Sequence, residues 1–136
     1  MNEKKKLEVV AAVIRDDKGK TLICQRPANK GCALLWEFPG GKIEPGETPP
    51  QALVRECREE LAIGLEVGEQ VAETRVESDR ASIHILYFQS KIVSGRLTLL
   101  EHNDARWIVA SERGSFEFCP SDSKVVDAIL ASAPSK

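Results

Sequence analysis

A chain of 136 residues, 42% apolar and 29% charged, is sized for a single globular domain over residues 1–136 with a closed core. Its net charge of −2 offers no basic footprint for nucleic acid, and no apolar run approaches the roughly 18 residues of a membrane span. The charged start Lys4-Lys5-Lys6 lacks the apolar stretch of a signal peptide, so residues 1–6 are expected to be a flexible tail. The four cysteines form no C-x-x-C pair and read as reduced thiols, which fits a cytoplasmic protein.

Leu7–Ile14 is a nearly continuous apolar run and predicts a buried strand. Asp16–Lys20 reads as a turn and Thr21–Gln25 as the returning strand of a hairpin. Pro27–Cys32 is a loop, and Trp36–Phe38 a short extended segment ending at Pro39-Gly40-Gly41. Thr48-Pro49-Pro50-Gln51 predicts a helix start, with Thr48 as N-cap, proline in the first turn and Gln51 closing a capping box. Val67–Glu77, Ile83–Gln89, Leu97–Leu100 and Arg106–Val109 are further strands. Ser121-Asp122-Ser123 introduces a terminal helix with the stripe Val125, Val126, Ile129 and Leu130. A mixed sheet with helices on both faces would bury both helical stripes, an α/β fold.

At 100° per residue the central helix has three faces. Pro50, Leu53, Val54, Cys57 and Leu61 form its apolar stripe, and Gln51, Arg55 and Arg58 lie opposite. Glu56, Glu59 and Glu60 fall between, within about 100° of one another. Carboxylates at such spacings repel unless cations neutralise them. Oxygen-only donors suit magnesium or manganese rather than zinc. The alternative is a solvated acidic face with Arg55 and Arg58 as partners.

Gly41, Glu47, Arg55, Glu56, Glu59 and Glu60 stand at spacings that chance would give about once in ten million placements. The segment from Gly41 to Ile63 resembles the Nudix box, G-x5-E-x7-R-E-U-x-E-E-x-G-U with U apolar. The resemblance implies the Nudix α/β/α sandwich and hydrolysis of a phosphoanhydride with Mg2+, for which Mn2+ can substitute. It gives metal-ligand roles to the Gly40 carbonyl, Glu56, Glu59 and Glu60, with Glu59 also among the catalytic residues. Glu47 and Arg55 become the supporting pair that orients the glutamates. Glu101, six residues before Trp107, is a further metal ligand or general base; alternatively it is an exposed loop acid. Arg26 takes the place of a phosphate-binding arginine, or is an ordinary surface arginine. One departure is Ala62, where the family has glycine: either Ala62 adopts a left-handed conformation, or the helix runs on and Gly64 caps it.

Val9–Ile14, Gln25–Ala28, Leu35–Lys42 and Gln51–Glu56 resemble the MutT-type members and, more closely, the bacterial CTP pyrophosphohydrolases. Such relatives convert nucleoside triphosphates to monophosphate and pyrophosphate, some acting on cytidine nucleotides and others on oxidised purine nucleotides. The implied partner is therefore a nucleoside triphosphate, with no nucleic acid or membrane, bound by a monomer or homodimer. An ionised Asp122 only accepts hydrogen bonds and would suit the exocyclic amine of cytosine or adenine, which favours cytosine over 8-oxoguanine; alternatively it caps the terminal helix. Glu37 is a second candidate acceptor on the pocket wall, with Phe38 beside it, and Arg80 lies near a base-side arginine of relatives. His84 reads as a satisfied strand histidine and His102 as solvated. The rival functions are a MutT-like enzyme for 8-oxo-dGTP and a catalytically silent ligand-binding module.

Overall fold

β1 (Lys5–Ile14) is the spine of the molecule. One edge pairs antiparallel with β4 (Gly40–Lys42) and the other parallel with β6 (Ala81–Gly95), which pairs antiparallel with β5 (Ile63–Glu77). The order β4-β1-β6-β5 is a mixed sheet in this computed structural model, which describes residues 4–132. The half of β1 covered on both faces, Val10–Ile14, is apolar throughout. Val10, Ala12 and Ile14 pack with Leu53, Cys57 and Leu61 of α1 (Pro49–Leu61), while Ala11 and Val13 pack with the terminal helix residues Val126, Ile129 and Leu130. Helices therefore cover both faces, the α/β/α layering expected.

The hairpin expected from Leu7–Ile14 and Thr21–Gln25 does not form. Both edges of β1 are taken, so β2 (Thr21–Gln25) joins β3 (Trp36–Glu37) and β7 (Asp104–Ile108) in a second, antiparallel sheet. Arg15 and Thr21 make one bridge where the chain leaves β1. The turn itself is as read: Asp16 Oδ1 accepts from the N–H groups of Lys18 at 3.0 Å and Lys20 at 2.8 Å. Lys5 and Lys6, expected in a flexible tail, belong to β1 and pair with Ala81 and Ser82; residues 1–3 lie outside the described residues.

Leu97–Leu100 is not a strand either. The N–H groups of Thr98 and Leu100 donate to the carbonyls of Leu61 and Glu60, at 2.9 and 3.1 Å, and so serve the otherwise unpaired C-terminal carbonyls of α1. The expected terminal helix is two pieces, α2 (Pro120–Ser123) and α3 (Val126–Ala131). Among the described residues no helix is long and apolar enough to cross a membrane.

α1 starts as its sequence dictates: the Gln51 N–H donates to Thr48 Oγ1 at 3.3 Å and the Thr48 N–H to Gln51 Oε1 at 2.9 Å. It ends at Ala62, which sits in the left-handed region at φ 59°, ψ 32°, with its N–H on the Arg58 carbonyl at 3.1 Å. Gly64 is already in β5. An alanine in this conformation carries strain that glycine avoids. Ala62→Gly is therefore expected to stabilise the fold by about 1 kcal/mol, a rise of roughly 3–5 °C in Tm by calorimetry.

Candidate active site

The buried face of α1 is Ala52, Leu53, Cys57 and Leu61, whereas Pro50, expected in the stripe, is exposed. Ala52 widens the buried sector toward the acids. With Ala52 at 0°, Glu56 follows at about 40°, Glu60 at about 80° and Leu53 at about 100°, while Glu59 falls outside at about −20°. The exposures obey this order: the Glu56 side chain is 15% exposed and that of Glu59 60%. Glu60 lies deeper in the sector, and burial with the hydrogen bond to Glu56 pushes its pKa up to about 9.

Arg55 organises the outer acids. Its Nε donates to Glu47 Oε2 at 2.7 Å and its Nη2 to Glu47 Oε1 at 3.0 Å, a two-pronged pair. Nη1 reaches Glu56 at 2.6 Å and Glu59 at 3.1 Å, and Nη2 also meets the Lys42 carbonyl at 3.0 Å. These bonds hold the Glu47 carboxyl below the usual carboxylate range. The same contacts draw Glu59 outward, and among the described residues no three His, Cys, Asp or Glu side chains gather into a metal-holding group. Glu56 and Glu60 nevertheless touch as a carboxyl pair that needs a proton or a cation between its oxygens. Gly41 makes the cradle: a Cβ there would collide with the Glu56 carboxylate. This oxygen-only pair fits a hard divalent cation.

Beside it opens a cleft of about 170 Å³ whose walls include Arg26, Lys30, Glu37, Phe38, Gly40, Gly41, Glu60, Glu101, His102 and Asp122. Glu37 stands between two donors, Arg26 Nη1 on Oε1 at 2.9 Å and His102 Nε2 on Oε2 at 2.9 Å. Asp122 is more deeply fixed. Its Oδ1 accepts from the Tyr87 hydroxyl at 2.5 Å and its Oδ2 from the Phe38 N–H at 3.0 Å. Burial outweighs both bonds and pushes the Asp122 carboxyl up to about 6; burial and Asp122 together push the Tyr87 hydroxyl far above its ordinary value. Asp122 makes no capping bond: α2 has no side-chain cap, and the carboxylate instead ties α2 to β6 and to the β3–β4 connection.

Several expectations change at this point. Glu101 does line the cleft, 45% exposed and paired with Lys30 at 3.1 Å. Arg26 is on the wall but committed to Glu37. The Phe38 ring is 3% exposed and belongs mainly to the core around Tyr87 and Phe118. Arg80 sits in the β5–β6 turn, five residues and roughly 16 Å of strand from the cleft residue Ile85, and is not on the wall. Glu47, Arg55, Glu56 and Glu59 lie behind or beside the cleft rather than in it. His84 is a satisfied strand histidine, with Glu8 at 2.9 Å and Glu73 at 2.6 Å. His102, expected to be solvated, is buried against Glu37. Lys30, Tyr87 and His102 are the site residues that sequence reasoning missed. The one available signal was the position of His102 next to Glu101.

The NUDIX domain matches residues 5–128. The CTP pyrophosphohydrolase of Escherichia coli K12 is 43% identical over 127 residues, 93% of each chain. The 8-oxo-dGTP diphosphatase of Haemophilus influenzae is 30% identical over 128 residues, 94% of each chain. The solution structure of the E. coli ORF135 protein superposes with a TM-score of 0.80 at 42% identity, covering 94% of this chain and 91% of that one. With Glu60 of the box on the cleft wall, Glu56 against it and the match running through every strand, the chain belongs to the Nudix family of phosphoanhydride hydrolases.

Proposed function

We propose that this chain hydrolyses nucleoside triphosphates to the monophosphate and pyrophosphate with Mg2+, replaceable by Mn2+, and prefers cytidine nucleotides. The observation that carries the reading is one cleft presenting both an acidic group beside Gly40, made by Glu60 and Glu101, and two held acceptors, Glu37 and Asp122. Glu56, Glu60 and the Gly40 carbonyl would hold the cation, with Glu101 and Glu59 as further ligands once Glu59 leaves Arg55. When bound, a divalent cation neutralises the triphosphate and activates water. Glu47 and Arg55 clamp α1 to the Lys42 carbonyl and so keep Glu56 against Gly41. Glu101 would take the proton of the attacking water, and Arg26 and Lys30, which line the same cleft, would bring positive charge to the phosphates. Glu37 and Asp122 keep lone pairs for the exocyclic amine of cytosine, which a uracil or 8-oxoguanine carbonyl cannot satisfy. The relative named for CTP supports this reading.

A second reading has one observation in its favour. With its pKa pushed up to about 6, Asp122 is partly protonated in mildly acid solution and could then donate to the oxo group of an oxidised purine. Initial rates of pyrophosphate release with Mg2+ decide between them, using CTP, dCTP, 5-methyl-dCTP, 8-oxo-dGTP and dATP at one low concentration. Cytidine nucleotides are expected to lead by about tenfold or more, with all release abolished by a chelator. A lead for 8-oxo-dGTP would transfer the assignment to the second reading.

A further inference from the structure

One buried group on the cleft wall has no part in the scheme above. The His102 side chain is 4% exposed, and its Nδ1 has no hydrogen-bond partner among the described residues. Its other nitrogen, Nε2, lies 2.9 Å from Glu37 Oε2. The segment around it is pinned on both sides. Leu100 N–H donates to the Glu60 carbonyl at 3.1 Å, and Asn103 donates to Gln25 from its N–H at 2.9 Å and from its side chain at 2.6 Å. Between those anchors Glu101 reaches Lys30 across the cleft mouth.

We propose that His102 is the positioning residue for base recognition. It locks the Glu37 carboxylate from one side while Arg26 locks it from the other, and it joins that acceptor to Glu101 through a single peptide. The inference rests on the reading of Glu37 as a base-side acceptor. A carboxylate with one donor can still swing about its last torsion. With a separate donor on each oxygen it cannot, so its remaining lone pairs keep one direction for an incoming amine. His102→Ala frees Oε2 and lets the carboxylate turn, whereas His102→Gln places an amide N–H near the lost Nε2.

The test compares CTP with UTP, which differ at C4, amine against oxo, and at N3, acceptor against N–H donor. His102→Ala is expected to lower the CTP-to-UTP ratio of kcat/KM about tenfold, mainly by raising KM for CTP, and His102→Gln to restore most of it. In a Glu37→Gln background, His102→Ala should change the ratio by less than about twofold, since one acts through the other. Dissociation constants of CMP and UMP, measured without metal, should follow the same pattern. Should His102→Ala leave the ratio intact while Glu37→Gln lowers it, the inference falls and the base reading stands. Should Glu37→Gln leave the ratio intact, both fall. Equal losses for CTP and UTP in both His102 variants would make the histidine merely structural and also overturn the inference. The His102→Gln variant keeps the test decisive if the alanine variant does not fold.

Discussion

A Glu60→Gln variant is expected to fold, to melt no lower than the parent protein without metal, and to lose on the order of 10³-fold in kcat/KM. The stability half follows from the enclosure of Glu60. Its carboxyl is held protonated by burial and by Glu56, with its pKa pushed up to about 9, and a glutamine amide donates to Glu56 from nearly the same place. The activity half follows because an amide offers one neutral oxygen where the cation needs a carboxylate, and Glu60 is the only box glutamate on the cleft wall. Mg2+ should raise the Tm of the parent protein in proportion to the logarithm of its concentration, and that rise should vanish in the variant. Glu59→Gln should cost less, about 10–100-fold, because Glu59 stands outside the buried sector and is held by Arg55. Near-normal turnover of Glu60→Gln would move the chemistry away from α1.

That difference between Glu59 and Glu60 shows how far the sequence can be read. The three acids, their spacing and the helix that carries them were all legible, because capping residues and a 3.6-residue period act locally. The expected apolar stripe is too narrow. Without Ala52 it leaves all three acids outside, whereas the buried sector encloses Glu56 and Glu60 and leaves Glu59 out. A small residue such as alanine carries little weight in a periodicity reading, yet it marks which flank lies against the sheet.

The other misreadings are matters of long-range partners. Thr21–Gln25 has the pattern of a returning strand, and nothing in it records that both edges of β1 are filled by Gly40–Lys42 and Ala81–Gly95. Leu97–Leu100 looks like a strand because it is a short leucine-rich run, but the N–H groups of Thr98 and Leu100 serve the carbonyls at the end of α1. His102 reads as a polar residue between Glu101 and Asn103 until Glu37, far away in sequence, comes to meet it. Asp122 had two readings, base acceptor or helix cap, and its bonds to Tyr87 and Phe38 add a structural part that neither foresaw.

Asp122→Asn should separate those parts by pH. The Asp122 carboxyl is raised from 3.8 to about 6 in the folded protein, so the folded state holds the proton more tightly than the unfolded chain. Below pH 3.8 both states are protonated and the aspartate contributes in full. As pH rises toward 6 the unfolded chain loses its proton first and that contribution drains away; above 6 the loss is complete. At 1.36 kcal/mol per pH unit the ceiling of this loss is about 3 kcal/mol. An asparagine does not titrate. It can accept from the Phe38 N–H with its oxygen and donate to the Tyr87 hydroxyl with its amide. The variant should therefore gain stability relative to the parent between pH 4 and 6 and hold a constant advantage above, as read from denaturant midpoints at each pH. Over the same range the parent's preference for CTP over UTP should grow as the carboxylate ionises, because only the ionised form is purely an acceptor. The variant, lacking that transition, should show a preference that is flat with pH and about tenfold lower at pH 7. A stability difference that ignores pH would mean Asp122 is ionised throughout. A preference that still rises with pH in the variant would assign the base contact to Glu37 alone.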